Sequence, residues 1–223
     1  MKKNTFLALF LAGSAFLTAC GGGGSAEKGG EKEKKADKKE KTEMKDEKSA
    51  KEMTMMVDTS KSKAMWAGTL VGVYTHTGNV MFEKGMLTAK GDKITGGEFV
   101  IDMNTMVATD DNYDPEKDKT PEKLIGHLKA DDFFAVEKHP TASFKIKSYD
   151  EASNTLTGDL TVRGKTQEEK ITDVAFNPKE GTAKGKLVFD RHEYDVAYTM
   201  SMKDMTITDE IEVMVDLKLN PKS

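Results

Sequence analysis

The sequence has little of what catalysis requires. Cys20 is the single cysteine among 223 residues, so no intrachain disulfide can form and no thiol nucleophile follows it. The serines lack the glycine pattern of a nucleophile elbow. The four histidines are not spaced as metal ligands: His76, His127, His139 and His192. We therefore expect a protein that is not an enzyme and that holds no metal and no cofactor.

Two further classes of ligand are disfavoured. The formal net charge at pH 7 is −4, which gives no general attraction to nucleic acid. An acidic segment does begin like a calcium loop, with Asp110, Asn112 and Asp114 at the first, third and fifth positions. However, Pro115 replaces the glycine of the sixth position, and Pro121 replaces the glutamate of the twelfth. The segment therefore fails the two most specific requirements of a calcium loop.

Methionine, by contrast, is abundant, with 14 residues. Two clusters have thioether spacings that suit Cu(I), namely Met53, Met55 and Met56, and Met200, Met202 and Met205. Adaptable packing is the commoner use of methionine, and flexible thioethers also suit a pocket for a lipid tail. All three interpretations stay open at the level of the sequence.

The N-terminus has the pattern of an export signal. Lys2 and Lys3 precede an apolar segment, residues 6–18, that is too short to span a membrane. It ends in Leu17-Thr18-Ala19-Cys20, which resembles the lipobox of bacterial lipoproteins. That resemblance implies a lipoprotein signal peptide over residues 1–19, cleavage before Cys20 and lipidation of Cys20. An ordinary signal peptide with a chance cysteine is the alternative.

A lipidated Cys20 predicts where the protein resides. A cysteine that carries more than one acyl chain is stably anchored in a membrane. Because Gly21 and not aspartate follows it, the retention rule of enteric bacteria favours the outer membrane. We therefore expect an anchored lipoprotein of the bacterial cell envelope that faces the periplasm.

Residues 20–56 are expected to be a disordered tether between the anchor and the folded domain. Residues 21–52 within this segment are rich in glycine, then in lysine and glutamate, and a segment with almost no apolar residues cannot bury enough surface to fold. A charged helix supported by pairs such as Glu31 and Lys35 is the alternative. We assign residues 57–223 to a single folded domain.

Alternation of apolar and polar residues dominates that domain and predicts strands. Phe99, Ile101 and Met103 share one face, and residues 205–219 keep an almost unbroken period of two. Two irregularities are expected along the strands. Gly85 is predicted to turn the chain, and the apolar phase slips between Ile171 and Val174, which predicts a bulge.

One segment has the period of a helix. Thr120 is a suitable N-cap, Pro121 suits the first turn, and Leu124 and Leu128 fall on the same face. The adjacent residues Phe133–Phe134 are expected to be buried beneath this helix. Many antiparallel strands, short turns and one helix favour a closed barrel, although a sandwich with a filled core has the same pattern.

Several motifs resemble those of the YceI-like family. They are Leu124-x-x-His127-Leu128-x-x-x-Asp132-Phe133-Phe134, Lys138-His139-Pro140-x-Ala142-x-Phe144, Thr75-His76-Thr77-Gly78, Gly97-x-Phe99-x-Ile101-Asp102, Gly158-Asp159-Leu160-Thr161-x-x-Gly164-x-Thr166 and Asp190-Arg191-x-x-Tyr194. Asp195 stands where many members have glycine after the aromatic residue. The resemblance covers roughly residues 57–219.

The resemblance implies both a fold and a function. The family is bacterial, secreted or periplasmic, and associated with polyisoprenoid lipids. It implies an all-β fold, a closed antiparallel lipocalin-like barrel of about eight strands with one α-helix covering the interior. An eight-stranded barrel can enclose one small ligand. The implied ligand is an isoprenoid lipid or isoprenoid quinone in an apolar tunnel, for which the protein would serve as carrier or reservoir.

Thirteen positions are the expected ligand-binding residues, in motifs or on apolar strand faces: Phe82, Phe99, Ile101, Met103, Leu124, Leu128, Phe133, Phe134, Phe144, Leu160, Phe189, Arg191 and Tyr194. Arg191 could meet a carbonyl or phosphate head group, or could form a structural salt bridge across the barrel mouth. The alternative function is a stress-related interaction lipoprotein whose barrel is filled by its own side chains. The expected partners are the ligand and the membrane, with a homodimer left open.

Overall fold

A computed structural model describes residues 51–70, 74–196, 198 and 207–221. Within these residues the chain forms nine strands and one α-helix: β1 (Glu52–Val57), β2 (Lys63–Leu70), β3 (Tyr74–Lys90), β4 (Lys93–Ala108), α1 (Pro121–Lys129), β5 (Thr141–Asp150), β6 (Thr155–Val162), β7 (Lys165–Asn177), β8 (Thr182–Asp190) and β9 (Glu210–Pro221). That helix is too short and too polar to cross a membrane. The predictions on Cys20, on the signal segment, on most of the tether and on the second methionine cluster lie outside the described residues.

The strands close into an antiparallel barrel. Strands β2, β9, β8, β7, β6, β5, β4 and β3 pair in that order, and β3 returns to β2. Strand β1 also lies between β3 and β9, where it pairs with the parts of these two strands that extend beyond β2. Strands β1 and β2 therefore share one position in the ring. The predicted lipocalin-like barrel of about eight strands is therefore confirmed.

The predicted boundary between the tether and the barrel was wrong, because it left most of strand β1 outside the barrel. Residues 52–56 were assigned to the tether, but they form most of β1. Met55 is 2% exposed and Val57 is also buried, so this strand presents an apolar face to the core. In the same strand Met56 is exposed on the opposite face. Strand alternation therefore separates the sulfur of Met56 from those of Met53 and Met55, which removes the geometric basis for a shared copper site.

Strict alternation in the central strands creates the apolar interior. In β6, every second residue is buried and the residues that alternate with them are partly exposed; the buried ones are Leu156, Gly158, Leu160 and Val162. The outward side chains pair as charges across strands, for example Lys186 with Glu212 at 2.7 Å. The predicted bulge in β7 is confirmed, since the register with β8 shifts between Thr172 and Ala175.

Gly85 does not turn the chain as predicted, because β3 runs through it without interruption. A Cβ on Gly85 would lie 2.8 Å from the ring of Phe99 and 2.8 Å from a methyl group of Val57. The register of β3 against β4 also shifts close by, between Phe82 and Lys84. Gly85 therefore allows close packing where the strand bends, and a long bent strand replaces two short ones.

Helix α1 covers one end of the barrel. The side chain of Thr120 accepts a hydrogen bond from the backbone N–H of Lys123 at 3.3 Å, as expected of an N-cap. The chain then turns back beneath the helix, where the backbone N–H of Phe134 donates to the carbonyl of Leu128 at 3.1 Å. Phe133 and Phe134 are 5% and 8% exposed, which confirms their predicted burial.

Candidate functional site

The barrel interior contains three adjoining chambers. The lower chamber, about 90 Å³, lies far from the helix and is lined by residues that include Phe82, Phe99, Phe144, Leu156 and Leu217. Alternating inward positions on β3, β4, β5, β6 and β9 supply these side chains. Its walls are almost entirely apolar. A cavity with such walls offers water no hydrogen-bond partners and favours a hydrocarbon.

The middle chamber, about 130 Å³, lies between the lower chamber and the helix. Ile101, Ala142, Leu160, Leu187 and Val213 line both of these chambers, which therefore adjoin. The upper wall of the middle chamber comes from the segment that includes the helix: Leu128, Phe133 and Phe134. The two chambers lie next to each other in the barrel, and both have almost entirely apolar walls.

The mouth chamber, about 190 Å³, lies where the barrel meets the helix. It shares Trp66, Gly68, Leu128, Phe133 and Ile207 with the middle chamber. The other residues that line it are more polar, namely Thr69, Leu70, Tyr74, His76, Leu124, His127 and Tyr198. The three adjoining chambers are here called the tunnel, which is almost entirely apolar at depth and carries some polar groups at its mouth.

Residues 55–219 match the family model of the YceI-like domain. The chain belongs to the YceI-like family. A UPF0312 protein of Staphylococcus epidermidis is 36% identical over 78 residues, which cover 35% of this chain and 44% of that protein. A UPF0312 protein of Staphylococcus aureus is 29% identical over 112 residues, which cover 47% of this chain and 64% of that protein. The YceI-like chain thus spans about half the length of the curated relatives it matches.

A solved structure supports the fold assignment of this YceI-like chain. BcnA of Burkholderia cenocepacia aligns with a TM-score of 0.52 and 23% identity, covering 72% of this chain and 98% of BcnA. A polyisoprenoid binding domain from Saccharophagus degradans aligns with a TM-score of 0.45 and 11% identity, covering 77% of this chain and all of that domain. At these identities the comparison with BcnA concerns the fold alone.

The structure of the YceI-like barrel places all the predicted ligand-binding residues except Tyr194 on the tunnel. Phe82, Phe99, Ile101, Phe144 and Leu160 line the lower chamber. Ile101, Met103, Leu128, Phe133, Phe134, Leu160, Phe189 and Arg191 line the middle chamber, and Leu124 lines the mouth chamber.

Tyr194 does not line any of the chambers, in contrast to the prediction. It is fully buried, packs edge-on against Phe189 at 5.2 Å, and donates its hydroxyl to Glu169 at 3.0 Å. Burial, followed by the charge of Glu169, raises the pKa of Tyr194, and burial raises that of Glu169. Asp195 has φ 58°, so it adopts the left-handed conformation that residues other than glycine seldom take. Tyr194 is therefore a packing residue of the turn after β8.

Arg191 binds the protein's own backbone. It is 3% exposed, and its Nε donates to the carbonyl of Thr208 at 3.1 Å. Its Nη1 donates to the carbonyls of Val196 and Tyr198 at 2.8 and 2.9 Å. Its Nη2 lies 3.6 Å from a carboxylate oxygen of Asp209. Of the two roles considered for Arg191, these contacts favour the structural one, because few of its donors remain for a head group.

Several lining residues were missed in the sequence, above all Trp66 and Gly68. Ala64, Trp66, Gly68 and Leu70 have inward parity on β2, and Ala64 and Leu70 are buried. Because a glycine breaks the apolar alternation, the pattern alone did not mark this face as a wall. The indole of Trp66 lies over Gly78, its cross-strand partner, where a Cβ would come within 2.3 Å of the ring.

A hydrogen-bonded cluster around Asp110 supports the mouth. Its carboxylate accepts hydrogen bonds from the backbone N–H groups of Thr77 and Asn112, from the hydroxyl of Tyr113 and from Nδ1 of His76, each at 3.0 Å. Burial alone would raise the pKa of Asp110, but these hydrogen bonds outweigh it and lower the pKa to about 2. The hydrogen bonds from Thr77 and His76 thus hold the acidic loop against β3. No group of three metal-ligating side chains occurs among the described residues.

Proposed function

We propose that this barrel binds an isoprenoid lipid or isoprenoid quinone in its tunnel and serves as a carrier or reservoir for it. The observation that carries the proposal is the tunnel itself, with two apolar chambers at depth and a third chamber at the mouth that adds polar groups. A long apolar chain with a small polar head has the same distribution of polarity. In this proposal the protein binds and carries its ligand and does not catalyse a reaction.

The length of the tunnel suits such a chain. Strand β4 supplies Ile94 to the lower chamber and Met106 to the middle chamber. At a rise of about 3.3 Å per residue and a strand tilt of about 40°, these positions are roughly 30 Å apart along the axis. The two apolar chambers along this axis, about 90 and 130 Å³, have room for a few isoprene units of such a tail.

The energy of burial is also sufficient. Each buried CH₂ group contributes about 0.8 kcal/mol, so an isoprene unit of five carbons contributes about 4 kcal/mol before the costs of ordering. Micromolar binding corresponds to about 8 kcal/mol. A few isoprene units in the lower and middle chambers therefore suffice. The alternative, an interaction lipoprotein with a filled barrel, is weakened by the unfilled apolar space of these two chambers.

The single tryptophan offers a direct test of tunnel binding. Trp66 lines both the middle and the mouth chambers, so a quinone with a long tail is expected to quench its fluorescence in a saturable titration. The control is the same quinone ring without a tail, which should not saturate at the same concentrations. Quenching that is linear and independent of the tail would contradict the proposal.

Anchoring through Cys20 is the second part of the proposal. It is supported by the lipobox-like sequence Leu17-Thr18-Ala19-Cys20 and would keep the barrel at the membrane, most simply at the periplasmic face of the outer membrane. Cys20→Ser is expected to move the protein from the detergent phase to the aqueous phase in partitioning experiments. Unchanged partitioning of the variant would count against lipidation.

A further inference from the structure

Three methionine side chains lie on the outer face of the barrel, one on each of the strands β2, β3 and β9. They are Met65, Met81 and Met214, here called the outer methionine cluster. The residues on either side of each one are buried or line the tunnel, so strand alternation directs the methionines outward. Met214 is 39% exposed, and the other two are partly exposed. Packing in the core, the commonest role of methionine, therefore does not account for them.

The strand register brings the outer methionine cluster together. Strand β2 lies between β3 and β9, and Met65 is directly opposite Met214. Met81 is opposite Lys63, which places it on the diagonal from Met65 across the pair of β2 and β3. Cβ atoms directly opposite each other are about 5 Å apart, and long side chains also reach diagonal neighbours at roughly 7–8 Å. Three flexible thioethers can therefore converge beside Met65.

The charged groups around the outer methionine cluster are already paired. Along β9, Glu212 and Asp216 flank Met214 on the outer face, and each pairs with a lysine of β8, at 2.7 and 3.1 Å. Lys63 lies directly opposite Asp216, which offsets its charge. A hard cation such as Ca²⁺ or Mg²⁺ requires several oxygen ligands, and these carboxylates are engaged. Thioether sulfur, in contrast, selects the soft cation Cu(I).

We propose that Met65, Met81 and Met214 form a surface site that binds Cu(I) through three thioether sulfurs. Strand alternation separates the sulfurs of the methionines that are close in sequence on β1, whereas strand pairing brings together three that are distant in sequence. The site faces away from the tunnel, so it is independent of the proposed lipid ligand.

A second methionine pair on the outer face serves as the control. Met56 on β1 is directly opposite Met86 on β3, and they are 39% and 38% exposed, much like Met214. On its other side Met56 is opposite Asn220, so β9 supplies no third thioether to this pair. Two thioethers hold Cu(I) less firmly than three, and the pair is expected to contribute little to the affinity.

Competition with bicinchoninate under anaerobic conditions measures the affinity for Cu(I). Every sample is the full chain with Cys20→Ser, because a free thiolate would itself bind the metal. Met65→Leu, Met81→Leu and Met214→Leu are each expected to weaken the affinity roughly tenfold or more. Met86→Leu should leave it unchanged. Leucine has nearly the volume of methionine, so the fold and the melting temperature should be preserved in all four variants.

Methionine methyl groups labelled with ¹³C show which sulfurs bind the metal. Equimolar Cu(I) is expected to shift the methyl resonances of the outer methionine cluster together and to leave those of Met56 and Met86 in place. Shifts confined to other methionines, or Cu(I) affinity that survives the loss of all three side chains, would refute the site. An equal loss for Met86→Leu, or no binding by the parent protein, would also refute it. Because no lipid is present, none of these results bears on the tunnel.

Discussion

Replacing Gly68 by leucine is expected to abolish binding of a long isoprenoid ligand while the barrel still folds. Gly68 has inward parity on β2 and lines both the middle and the mouth chambers. A Cβ added there meets nothing within 4 Å, so the larger side chain enters the tunnel and not a neighbouring residue. Because strand glycines pack poorly, the substitution should maintain or slightly raise the melting temperature.

Gly126→Leu is the matched control for Gly68→Leu. It is the same substitution, and a Cβ there also meets nothing within 4 Å, but Gly126 lies on the exposed side of α1. Removal of a helix glycine should stabilise the protein by up to about 1 kcal/mol and leave ligand binding unchanged. If Gly68→Leu retains full affinity and full stability, the ligand does not pass between the middle and mouth chambers.

The second large effect is expected from Leu128→Glu. Leu128 is 8% exposed and forms part of the wall of both the middle and the mouth chambers. A carboxylate there lies in the path of the tail and should weaken uptake of a fluorescent prenyl or quinone ligand by at least tenfold. The protein should still fold, because the mouth chamber, with its polar side chains, leaves room for water beside the carboxylate.

A barrel with a filled core predicts a different result for the same variant. An unpaired charge buried among packed side chains costs several kcal/mol and would largely unfold the domain. Leu128→Gln serves as the control of similar shape without charge, and it should lose less affinity than the glutamate variant. A collapsed circular dichroism melting transition for Leu128→Glu, with no binding by the wild-type protein, would refute the carrier hypothesis.

Much of the fold could be predicted because local patterns in this chain are strong. The helical period after Thr120 and the cap at that residue located the helix, and the phase slip after Ile171 located the bulge of β7. These features depend on neighbours in sequence. The start of β1 was missed because Glu52 follows a long charged segment, and only pairing with the distant strands β3 and β9 makes it a strand.

The site was predicted less completely, for a related reason. Apolar residues with clear parity, such as Phe99 and Phe144, do line the tunnel. Tyr194 is an aromatic residue of the kind that suits an apolar pocket. However, its hydroxyl donates to Glu169 on another strand, and its ring turns away from the tunnel. The contacts of Arg191 and the contribution of Gly68 depend likewise on what lies opposite in the barrel, which no local pattern encodes.

Mass spectrometry of organic extracts from protein purified in its native membrane background tests the central claim most directly. The wild-type chain is predicted to carry a long isoprenoid species in near-stoichiometric amount, and Gly68→Leu, purified in parallel, is predicted to lack it. The extract of Gly126→Leu should match that of the wild type. A wild-type extract with no isoprenoid above the level found with Gly68→Leu would contradict the account.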